Sequence, residues 1–84
     1  SNRESGDGRY DIQLKPTQKG LPGILIELKA EKNCSDEKLK KLSETALQQI
    51  NDKKYETELT TAGVRTIYKY GVAFSGKKVE VAVG

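Results

Sequence analysis

The 84-residue chain contains no histidine and a single cysteine, Cys34. Without histidine there is no Ser-His-Asp triad, no Cys-His dyad, no His-ligated zinc and no imidazole general base. One cysteine allows neither an internal disulfide nor a cysteine metal cluster. No stretch approaches the 18 or so consecutive apolar residues that span a bilayer, so neither a membrane segment nor a secretory signal is expected. Gly76-Lys77-Lys78 lacks the upstream glycine and the following hydroxyl residue of a phosphate-binding loop. Any chemistry falls to carboxylates, lysines, hydroxyls, tyrosines and amides.

What is present is one small domain. A chain of this size buries only about 60% of the surface its unfolded form exposes, so its core must be economical or lean on a partner. Fifteen Lys and Arg against twelve Asp and Glu give a net charge of +3. That balance is compatible with a phosphate-bearing partner without requiring one. A lone cysteine and no targeting signal fit a reducing, cytoplasmic compartment. Ser1-Asn2 reads as the remnant of a removed tag, and the polar, Gly-containing residues 1–8 as a loose lead-in.

Periodicity supplies the elements. GRYDIQLK alternates, with Tyr10, Ile12 and Leu14 on one side and Asp11 and Gln13 on the other, as a half-buried strand does. Pro16–Gly23 holds two prolines and two glycines and is expected to be a loop. ILIELKA (24–30) reads as a central strand, with Ile24, Ile26 and Leu28 on one face and Leu25, Glu27 and Lys29 on the other. From Ser35, a plausible N-cap, to about Leu59, the spacing of Leu39, Leu42, Ala46 and Ile50 predicts one long amphipathic helix. VRTIYKYGVAF is expected as a third strand with Tyr68, Tyr70, Val72 and Phe74 turned inward. A turn at Ser75-Gly76 and an alternating edge strand, KKVEVAV, follow. The fold class is α/β, a mixed sheet packed on one helix.

One polar constellation stands out. A hairpin of the first two strands centred on Lys19 sets Asp11 opposite Glu27, with Cβ atoms roughly 5 Å apart. Like charges at that distance repel unless something neutralises them, and a hard divalent cation such as Mg²⁺ is the natural partner for two carboxylates. Lys29, two residues after Glu27, would orient a water or offset charge developing on a phosphate. The spacing alone leaves open that these are ordinary solvated strand residues, although ILIELKA is the most apolar segment of the chain. Gln49 and Lys53 fall on the helical stripe of Leu42 at about 100° per residue and so face the sheet or its rim, whereas Gln48 points to solvent.

Gly8-Arg9-Tyr10-Asp11, Pro22–Lys29, Ala46–Ile50 with Lys53 and Tyr55, Lys69–Phe74 and Lys77–Val81 together resemble the PD-(D/E)XK nuclease superfamily. More narrowly, the chain resembles the nuclease-like C-terminal domain of bacterial proteins that begin with an AAA-ATPase-like domain. The resemblance runs from about Gly8 to Val83. It implies residues 8–84 as a restriction-endonuclease-like domain cut from a longer protein, with residues 1–7 as tag remnant and lead-in. It further implies Asp11 and Glu27 as metal ligands for Mg²⁺ or Mn²⁺, the Leu28 carbonyl completing the shell, Lys29 as the motif lysine and Gln49 in support. Two departures accompany it: Tyr10 stands where the motif proline would be, and the core's first helix and first strand have little chain to be built from.

The expected activity is hydrolysis of nucleic acid, DNA foremost. The alternatives are a non-catalytic DNA-binding module coupled to the ATPase-like domain, or an oligomerisation domain. With its first elements short or missing, the chain is expected to have a bare edge beside Asp11, an uncovered apolar patch and a tendency to homodimerise.

Overall fold

Alternating strands need a covering layer, and here the helices supply it on one side only. The computed structural model describes residues 3–4, 9–52 and 55–84. Strands β1 (Arg3–Glu4), β2 (Arg9–Leu14) and β3 (Gly23–Ala30) come first, then helices α1 (Asp36–Asp52) and α2 (Tyr55–Thr61), then β4 (Ile67–Ser75) and β5 (Lys78–Val83). The sheet order is β1-β2-β3-β4-β5. β3 and β4 are parallel and joined through the helices, while the other pairs are antiparallel. This is the expected mixed α/β sheet.

Local chemistry sets the boundaries. Ser35 caps α1, its Oγ accepting from the Lys38 amide at 3.1 Å, and Asp36 and Glu37 complement the positive end of the helix. The exposed Glu31 carboxylate bonds Lys38 and holds its ammonium above the ordinary lysine range. α2 ends on Gly63, whose φ of 94° only glycine adopts freely. The Gly63 amide donates to Thr60 O and the Val64 amide to Leu59 O, the paired closure of a Schellman cap. Gly76, at φ 60°, leads the two-residue turn Gly76-Lys77 between paired Ser75 and Lys78.

Helix and sheet meet through small residues. A Cβ on Gly71 would lie 2.2 Å from the Ser43 carbonyl oxygen and 2.4 Å from the Leu47 nitrogen, so α1 rests directly on the β4 backbone. Gly23 gives α2 similar access, with Leu59 Cδ1 at 3.0 Å from its missing Cβ. One buried cluster is Leu25, Ile50 and Leu59, flanked by Leu47, Tyr55, Val64 and Ile67. A second is Cys34, Leu39 and Ala73. The turn before α1 is tied down there, since the Cys34 amide donates to Ser75 Oγ at 2.9 Å and Lys78 Nζ to Cys34 O at 3.2 Å.

Several expectations are corrected. Tyr68, Tyr70, Val72 and Phe74 do not form the core; they lie on the face away from the helices, with Tyr68 46% and Phe74 40% exposed. The helix contact is too close for bulky side chains, so Gly71, Ala73 and Ser75 take the inward positions. The single long helix is instead two elements, α1 and α2, with residues 53–54 between them outside the described residues. The lead-in is not wholly irregular: Arg3 and Glu4 pair with Tyr10 and Arg9, a two-residue strand where a first strand was thought absent. Its pairing covers that end of β2, and the outer edge from Asp11 to Leu14 has no strand partner among the described residues. Residues 1, 2 and 5–8 of the lead-in, the tag remnant included, lie outside the described residues.

Gly71→Ala forces a methyl group into the α1 backbone, which cannot rotate away. The expected cost is about 3 kcal/mol or more, read from urea unfolding at constant m-value. A loss below about 0.5 kcal/mol, the range of an ordinary surface substitution, would contradict this packing.

Candidate metal centre

The β2–β3 register pairs Asp11 with Glu27, flanked by Tyr10↔Leu28 and Ile12↔Ile26. The same ladder sets Glu27 beside Gly71 on its other side. Alternation then directs Asp11, Glu27 and Lys29 to the helix-covered face and Leu28 to the opposite one. Asp11 is 5% exposed and Glu27 fully buried at 0%. Lys29 is half-buried. These carboxylates are therefore not the solvated strand residues that spacing alone left open.

Helix placement brings further groups to the same face. α1 crosses Gly71, the ladder neighbour of Glu27, with Ser43 and Leu47 against it. Gln49 follows on that helix, half-buried, while Gln48 is exposed as expected. At the start of α2, the Tyr55 hydroxyl lies 3.2 Å from Asp11 Oδ2 and donates to it. Asp11 Oδ1, Glu27 Oε1 and Gln49 Oε1 are buried oxygens that accept no hydrogen bond, although Asp11 and Glu27 have other interactions. Lys53, the other polar residue expected on the stripe, lies outside the described residues.

The donor set consists of hard oxygens: two carboxylates from adjacent strands and an amide oxygen, with the Leu28 carbonyl in the connecting backbone. Such a set suits Mg²⁺ or Mn²⁺ and not a thiophilic metal. Among the described residues no three His, Cys, Asp or Glu side chains come together, so the rest of a cation's shell would fall to amide, backbone, water or substrate oxygens. Burying two like charges side by side is costly unless a positive charge joins them.

Two residues here were not legible as parts of the site. Tyr55 sits six positions after Gln49, about 120° away around a continuous helix, so helical phase directs it elsewhere. Only the division into α1 and α2 turns its hydroxyl to Asp11. Ser43 was passed over because it is polar, yet it is buried and its Oγ donates to Lys40 O at 2.7 Å. Its small size is what Gly71 needs opposite it. Lys69, in contrast, forms an ion pair with Glu56. A groove of about 370 Å³ lined by Lys15, Thr17, Lys19, Leu59 and Val64 lies at the Leu14 end of β2 and is lined by none of the centre's residues.

The chain was compared with known proteins. A family model described as the PD-(D/E)XK nuclease superfamily matches residues 1–83. No curated protein and no solved structure matches the chain.

Glu27→Gln removes one of the two facing charges. In chelator it should raise unfolding stability by a few tenths to about 1 kcal/mol, the scale of a cross-strand like-charge pair. An unchanged or lower urea midpoint at constant m-value would contradict carboxylate repulsion as the dominant interaction at this pair.

Proposed function

We propose that this chain, which belongs to the PD-(D/E)XK nuclease superfamily, is a metal-dependent phosphodiesterase domain that hydrolyses nucleic acid, DNA in the first place. The observation that carries the reading is the buried cross-strand pair Asp11–Glu27, with Lys29 on the same face. Asp11 and Glu27 would hold Mg²⁺ or Mn²⁺ with the Leu28 carbonyl. When bound, the ion supplies electrophilic activation of the phosphodiester and stabilisation of its developing charge.

The chain's own residues supply position. The Tyr55 hydroxyl fixes the orientation of Asp11 through Oδ2, which leaves Oδ1 to face the centre. Lys29 orients the attacking water and places a positive charge near the non-bridging phosphate oxygens. Gln49 offers a buried amide oxygen to the ligand set or to the water. The water oxygen bonds to phosphorus as the ester bond to the leaving oxygen breaks, giving a phosphate and a hydroxyl. Net charge of +3 is modest help in attracting a polyanion.

A second reading is supported by the small number of acids at the centre. It is a non-catalytic DNA-binding module coupled to an ATPase-like domain elsewhere in a longer protein. A cytoplasmic, reducing setting suits either reading, given the buried free thiol of Cys34. Among the described residues no helix is long and apolar enough to cross a membrane.

Lys29→Ala separates catalysis from ion binding. Mg²⁺- or Mn²⁺-dependent cleavage of single- and double-stranded DNA should fall about 100-fold or more, the scale of losing one transition-state donor. The metal-induced rise in melting temperature should persist in that variant. Cleavage by Lys29→Ala at the wild-type rate would overturn the assignment. Metal binding without cleavage by the wild type would favour the non-catalytic module.

A further inference from the structure

The sheet face away from the helices carries no charge. Row by row it reads Leu14–Ile24–Tyr68, Ile12–Ile26–Tyr70–Val83, Tyr10–Leu28–Val72–Val81 and Ala30–Phe74–Val79, all apolar or aromatic. Its outermost members are well exposed, with Val81 at 49% and Val83 at 68%. Charged residues make up 32% of the chain, yet none points from these rows. Monomeric proteins rarely expose a contiguous apolar surface this wide, and one so large marks an interaction site.

We infer that this face is a self-association surface on which a second copy of the chain packs face to face. Size supports it. Four strands about 4.8 Å apart and about six residues long make a face of about 20 by 20 Å, or about 400 Å² in projection. Corrugated side chains expose more than their projection, so two copies bury on the order of 1,000 Å² in total, close to the smallest stable interfaces. Composition supports it as well. A partner surface bearing charges would leave them desolvated and unpaired against these rows. A second copy offers an equally uncharged, equally flat face, and a two-fold axis lets each row meet its counterpart. The pair would be a β-sandwich whose inner faces interdigitate, with the helices of both copies outside. Because Asp11 and Glu27 lie on the helix side, both carboxylate centres remain outward-facing in the dimer.

Sedimentation of the wild-type chain at high micromolar concentration should give twice the 9.3 kDa chain mass. Val81→Lys and Val83→Lys, each on an exposed position of β5, should halve the sedimenting mass and leave the far-ultraviolet circular dichroism unchanged. Glu44→Lys, on the solvent side of α1, should remain dimeric. A wild-type monomer overturns the inference, and if that monomer binds phospholipid vesicles or a hydrophobic dye, the face belongs to another occupant. A dimer that survives both β5 substitutions also overturns it, because the contact would then run through a strand edge.

Discussion

The absence of a side chain at Gly71 governs the molecule. With no Cβ there, the Ser43 carbonyl and the Leu47 amide approach the β4 backbone as closely as backbone can. That contact sets the height of α1 above the sheet, and the rest follows from it. Ala73 and Ser75 line the same track, and Ile50 reaches Leu25 and Leu59 to close the larger cluster. Glu27, beside Gly71 in the β3–β4 ladder, is thereby sealed from water. The position that lets the helix down onto the sheet also buries the acid of the centre.

Close packing divides the sheet into two unlike surfaces. Under the helices, small residues and the two carboxylates share a covered layer. On the other side, bulky apolar and aromatic residues stand in rows without a covering layer of their own. A chain of this length gains little margin from its core, and the buried acids reduce it further. Both features reach a comfortable free energy by association, the acids with a cation and the apolar rows with another surface. The domain is built to be completed at both faces, and the two completions do not compete for the same side.

Much of this was legible in the residues. Shared parity of Asp11, Glu27 and Lys29 across a hairpin gives the register that the sheet adopts, and ILIELKA is the central strand. Ser35 and the acids after it mark the start of α1, and Gln48 and Gln49 separate by helical phase into exposed and half-buried. The inward side of β4 was not legible. Alternation there offers two faces, and bulk points to Tyr68, Tyr70, Val72 and Phe74, while the true inward set is Gly71, Ala73 and Ser75. Hydrophobicity identifies a buried face only where the covering layer stands a side chain's length away; where a helix touches backbone, smallness is the signal. The Tyr55–Asp11 hydrogen bond was hidden for a related reason, since a single continuous helix would direct Tyr55 elsewhere. The pairing of Arg3 and Glu4 with β2 involves two residues, too few for any periodicity to register.

The central claim is that the Asp11–Glu27 pair is a cation site, and calorimetric titration of the chelator-treated protein with Mg²⁺ and Mn²⁺ tests it most directly. The account predicts saturable binding of one ion per chain to the wild type and its loss in Asp11→Ala, with the far-ultraviolet circular dichroism of the two proteins the same. Equal binding by both proteins, or none by either, would contradict it.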